Sequence, residues 1–124
     1  MKENIAKTKS KAFAIRIVKL YQYLAENREY VLSKQVLRSG TSIGANIAES
    51  ECAISKRDFA AKLSIAYKEC AETQYWLELL YESGYLSEEM FRSVAKDCDE
   101  LFRILAASTK TVKHELYDKE QTEE

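Results

Sequence analysis

Not one of the 124 residues is proline, and that absence constrains the architecture more than any motif does. Proline lacks the backbone N–H and clashes with the preceding turn, so it is the strongest breaker of helices. A chain without it is free to form long uninterrupted ones. The placement of apolar residues shows that it uses this freedom. Phe13, Ile17, Leu20, Tyr21 and Leu24 recur at steps of three and four, the period of one helix face. The same spacing returns from Phe59 through Leu63, Ala66, Cys70, Leu77 and Leu80, and again from Phe91 through Val94, Cys98, Leu101, Leu105, Val112 and Leu116. No stretch alternates with period two for long enough to suggest a sheet.

Boundary signals divide these runs. Ser55-Lys-Arg-Asp58 is a helix start in which a hydroxyl accepts from the backbone N–H three residues on. Ser87 before Glu88 and Glu89 is another, with acidic groups facing the helix dipole. Gly84 suits a left-handed C-terminal cap. The reading is a single domain over 1–124, an all-α, up-down-up-down antiparallel four-helix bundle. Its helices are expected at about 8–27, 32–53, 56–82 and 88–116, with 118–124 a frayed tail.

The second helix is the unusual one. It carries two of the chain's three glycines, Gly40 and Gly44. Each costs roughly 1 kcal/mol in a helix relative to alanine, so close approach of another backbone is the expected compensation. Leu32, Val36, Leu37, Gly40, Ile43, Gly44, Ile47 and Ala48 cover an arc of about 160°, expected to face the core. Arg38, Ser42, Asn46 and Glu49 fall opposite, expected to hydrogen-bond a neighbouring helix or subunit, with Glu69, Glu72, Tyr75 and Trp76 of the third helix as possible members of the same polar set. A bulky side chain at Gly44 is expected to break packing or assembly, and Lys9→Ala to break neither.

Chemistry is mostly excluded. A di-iron bundle needs Glu-x-x-His pairs, but the single histidine, His114, follows Thr111 at that spacing. Zinc ligation fails on the wide spacing of Cys52, Cys70 and Cys98, which read as small reduced hydrophobes. No phosphate-binding glycine loop is present, and the arginine nearest before His114 is Arg103, too distant for a helical-bundle ribonuclease motif. No catalytic residue, metal or cofactor is expected. The polar N-terminus and the lack of a long apolar run point to the cytoplasm and to no membrane partner.

Net charge is −1, yet residues 1–29 hold seven Lys/Arg against three Glu and residues 85–124 hold six against ten Asp/Glu. Two readings follow: basic and acidic helices lie side by side, or Lys9, Lys11, Arg16, Lys19 and Arg28 form a basic face for nucleic acid.

The run Leu37-Arg-Ser-Gly-Thr-Ser-Ile-Gly-Ala-Asn-Ile-Ala-Glu-Ser50 closely resembles the signature of the four-helix family encoded by intervening sequences in bacterial 23S ribosomal RNA genes. Phe13-Ala-Ile-Arg-Ile-Val-Lys-Leu20, Ser55-Lys-Arg-Asp-Phe59 and Lys68-Glu-Cys-Ala-Glu-Thr-Gln-Tyr-Trp-Leu77 support it. The resemblance implies a protomer of a homo-oligomeric ring, most often a pentamer, with no established enzymatic activity. It also implies a fold similar to the accessory variability determinant of diversity-generating retroelements, which binds a reverse transcriptase and nucleic acid through a basic surface. The expected function is therefore a non-enzymatic scaffold or adaptor whose partners are itself and an unidentified protein or RNA. The alternative is a nucleic-acid-binding accessory factor.

Overall fold

The computed structural model describes residues 4–122. It contains four helices, α1 (Ile5–Glu26), α2 (Leu32–Ser50), α3 (Lys56–Glu82) and α4 (Glu88–Thr122), joined by short turns in up-down-up-down order. Among the described residues there is no strand.

Each boundary has a local cause. α1 starts a turn earlier than the expected Thr8, because the Asn4 side chain accepts from Lys7 N at 3.0 Å and caps it. α2 stops at Ser50, short of the expected residue 53. There the backbone tightens into three-residue bonds from Cys52 N to Glu49 O and from Ala53 N to Ser50 O. α3 starts after Ser55, whose hydroxyl accepts from Asp58 N at 3.0 Å, and α4 after Ser87, which accepts from Met90 N at 3.2 Å. Gly84 closes α3 at φ +89, the left-handed conformation its position required.

The frayed tail is a correction. α4 continues through 118–122, and residues 123 and 124 lie outside the described ones. Apolar side chains are absent there, but the segment is rich in good helix formers and is tied down by charge. Lys56 pairs with Glu115, Arg57 with Glu120, and His114 with Asp118 at 3.4 Å.

The core is one cluster running the length of the bundle, built on Phe13, Ile17, Leu24, Val36, Ile43, Ile47, Leu77, Leu80, Leu101 and Leu105. Each such side chain contributes roughly 1.5–3 kcal/mol on burial, against at most about 1 kcal/mol for an exposed ion pair, so apolar packing sets the stability. Packing is dense between α1 and α2, α2 and α3, and α3 and α4, and sparse where α1 meets α4.

The buried face of α2 is rotated from the expected arc. Ser33, Ser39, Asn46 and Ser50 are buried with Val36, Gly40, Ile43 and Ile47, while Leu32 and Leu37 are half-buried and Ala48 is exposed. Ser39, Asn46 and Ser50 are cheap to bury because their bonds are made within the protein, whereas the Ser33 hydroxyl makes none among the described residues. The Ser50 hydroxyl donates to Ile47 O, Asn46 Nδ2 to Ser42 O, and Thr73 of α3 donates to Ser39 Oγ at 2.9 Å.

Candidate functional site

The two glycines of α2 meet different neighbours. A Cβ on Gly40 would stand 2.8 Å from the Ile17 side chain, so the glycine admits α1 at close range. A Cβ on Gly44 would stand 3.3 Å from Ser10 Oγ and 3.4 Å from Ser10 O. Gly44 also borders an outer cleft of about 400 Å³ between α1 and α2, lined by small residues including Ala14, Thr41, Ala45 and Ala48. Beside it on α1 stand Ile15, 51% exposed, and Val18, 40% exposed. The rotation of α2 creates this surface: the part of its apolar arc that the core does not use faces outward next to α1.

The polar set of α2 is engaged within the chain. Arg38 donates to Glu69 at 3.1 Å and pairs with Glu72, whose carboxylate also accepts from Trp76 Nε1 at 2.8 Å. Tyr75 is exposed and meets the edge of Trp76. Glu49 lies 3.5 Å from Lys62. Asn46 is buried and serves Ser42, so it is not a surface contact. Of the four α2 residues, Arg38 and Glu49 reach α3 within the chain, while Ser42 and Asn46 bond each other inside α2.

The basic groups of α1 divide. Lys9 reaches Glu100 at 3.0 Å, and Arg16 reaches Asp97 at 2.6 Å with further bonds to Ser93 O and Oγ. Basic α1 and acidic α4 therefore lie side by side. Lys11, Lys19 and Arg28 make no ion pair among the described residues.

The remaining candidates are placed plainly. Among the described residues no group of His, Cys, Asp and Glu could hold a metal ion, and no helix is long and apolar enough to cross a membrane. His114 is exposed. Cys70 and Cys98 are fully buried with their sulfurs 3.9 Å apart across the α3–α4 interface. Their mutual hydrogen bond, and burial, push the Cys98 thiol well up from its ordinary value. A thiol raised in this way is the opposite of a nucleophile's.

Sequence reasoning missed Ser39 and Thr73, which bond in the core. The available signal was spacing: Ser39 lies three residues after Val36 and four before Ile43, and Thr73 stands in the same relation to Cys70 and Leu77.

The small-residue centre of α2, packed on α1 in a four-helix bundle, is matched over residues 2–107 by the family model described as 23S rRNA-intervening sequence protein. The chain belongs to that family. A similar solved structure is a protein of unknown function from the S23 ribosomal protein family of Bacteroides thetaiotaomicron. It is 51% identical, with a TM-score of 0.84, over 86% of this chain and 99% of that one. No curated protein matches. The last fifteen described residues of this 23S rRNA-intervening sequence protein, 108–122 of α4, lie beyond the family match.

Proposed function

We propose that the protein is a non-enzymatic scaffold or adaptor, acting in the cytoplasm, that assembles with copies of itself through the outer face of α1 and α2. One observation carries this reading: exposed Ala45 and Ala48 line the α1–α2 cleft, and α1, which forms its other wall, also exposes Ile15 and Val18. Apolar surface of this kind gains about 25 cal/mol per Å² when covered, and small residues let another helix approach closely. Closed rings join two different patches, one from each neighbour. Five copies are favoured by the family resemblance.

Light scattering on the purified chain tests it. The expected mass is a multiple of 14.3 kDa, reduced to the protomer by Val18→Glu combined with Ala45→Glu while helical circular dichroism is kept. A monomeric native protein overturns the reading.

The nucleic-acid alternative draws less support, because Lys9 and Arg16 answer to acids of α4. It rests on Lys11, Lys19 and Arg28 alone. A gel shift with structured RNA at about 50 mM salt, where phosphate contacts are strongest, removes it if no complex forms.

A further inference from the structure

The α1–α4 interface differs from the other three. It is the sparsest of the helix contacts, two joined clefts open on it, and a third lies beyond its end. One of about 410 Å³ lies between Leu20 and Tyr23 of α1 and Met90 and Val94 of α4. A second, about 210 Å³, shares Arg16 with the first and continues past Ala12 and Phe13 to Leu101. A third, about 360 Å³, lies at the end of the bundle, where Asn4 and Ala6 meet Ile47 of α2, Phe59 of α3 and Thr111 and Val112 of α4. From Lys9 to Tyr23 the two joined clefts span roughly 21 Å at about 1.5 Å per residue, some four helical turns.

The walls of this groove carry opposite charge. Lys9, Arg16 and Lys19 stand on α1, and Glu89, Asp97 and Glu100 on α4. Lys9–Glu100 and Arg16–Asp97 cross it, with Arg16 also donating to Ser93 O and Oγ, and the four charged side chains are about 40% exposed. Exposed pairs are worth little, so a ligand that supplies the same charges replaces them at small cost. Exposed Ala12 and Tyr23 and half-buried Met90 give the mouth an apolar lining.

We infer that this seam is a docking groove for an amphipathic helix of a partner protein, one with acidic side chains along one flank and basic side chains along the other. The acidic flank lies over α1 and takes Lys9, Arg16 and Lys19; the basic flank lies over α4; the apolar stripe fills the clefts between them. The acidic wall excludes a nucleic-acid strand, which would bring phosphate against Asp97 and Glu100. The groove's length excludes a compact small molecule as its full occupant. The inference supplies the adaptor with its partner and rests on that reading, but it fails separately from self-assembly, which uses the opposite side of α1.

The test uses the full chain and labelled helical peptides of roughly 20 residues with one leucine stripe. One peptide has a glutamate flank and a lysine flank; the controls have two glutamate flanks or two lysine flanks. Uniform controls are needed because turning a peptide end for end exchanges its flanks. Fluorescence anisotropy is expected to show the mixed peptide binding at least about tenfold tighter than either control, with Ala12→Glu weakening it by about tenfold and Gln35→Glu, at an exposed position of α2 outside both surfaces, leaving it unchanged. Equal binding of all three peptides, no saturable binding of the mixed one, or indifference to Ala12→Glu overturns the inference. So does a fall in solution mass caused by Ala12→Glu, which would assign the groove to a second copy of this chain.

Discussion

Ile17 stands so close to Gly40 that a Cβ built on the glycine falls 2.8 Å from both its Cγ1 and its Cγ2. Ile17 is fully buried and branched at the β carbon, so it has little room to turn away. Gly40→Ala gains about 1 kcal/mol of helix propensity and meets an overpacking cost of about 1–3 kcal/mol. The expected net is a loss of about 1 kcal/mol in urea unfolding. Gly44→Ala meets only the edge of Ser10 at 3.3 Å and is expected to stay within about 0.5 kcal/mol of the parent or to stabilise it. The sequence placed the sharper constraint on Gly44; the packing places it on Gly40.

Glu29 caps α2 from outside the helix. Its carboxylate accepts from Leu32 N at 2.9 Å, from Val31 N at 3.2 Å and from Ser33 N, and the residue is 7% exposed. Burial raises the carboxyl, but these donors outweigh it and hold it below its ordinary 4.5. At acid pH the unfolded chain takes up this proton before the folded one does. The contribution is therefore present above about pH 4.5 and lost as pH falls through the lower folded value. Glu29→Gln is expected to remove about 1–2 kcal/mol at neutral pH and to flatten the acid limb of stability measured by urea titration from pH 7 to 3.

Arg28 occupies the left-handed region at φ 64, in the same cap that Gly84 forms at the other turn of this end of the bundle. Arg28 N bonds Ala25 O and Glu29 N bonds Leu24 O, just as Gly84 N bonds Tyr81 O and Tyr85 N bonds Leu80 O. A side chain in this conformation costs about 1–2 kcal/mol, partly offset by glycine's greater freedom in the unfolded chain. Arg28→Gly is expected to raise stability by about 0.5–1 kcal/mol, and Gly84→Ala to lower it by about 1 kcal/mol, both read from thermal unfolding. If Arg28→Gly instead destabilises, the arginine side chain holds the turn.

The cysteines differ by environment alone. Cys52 is exposed, whereas Cys70 and Cys98 are sealed in the core. Under native conditions an aromatic disulfide reagent is expected to titrate one thiol quickly and the other two only on unfolding. Rapid reaction of all three would mean that the α3–α4 interface opens readily.

The helix count, the α3 boundaries and the caps at Ser55, Ser87 and Gly84 could be read from periodicity and local cap chemistry, which are properties of neighbours in sequence. The rotation of α2 could not. Leucine and alanine look buried and serine and asparagine look exposed until the partners of Ser39, Asn46 and Ser50 are known, and one of those partners is Thr73 on another helix. The charge split between the chain's ends was visible, but not that Arg16 would spend its donors on Ser93 and Asp97. Residues 118–122 were misread for a related reason, since the charge that pairs with Glu120 sits some sixty residues earlier, at Arg57.

The thinness of the α1–α4 seam also bears on how the molecule forms. Every dense interface joins helices adjacent in the chain, so nearly all of the stabilising contacts close short loops. Such low contact order places folding in the microsecond-to-millisecond range, through successive helical hairpins. The one long-range closure, bringing the two ends of the chain together, adds the least energy and is the last step to form. The same ordering leaves each terminal helix, α1 or α4, held mainly by one neighbour, so either can leave while the central α2–α3 hairpin still stands.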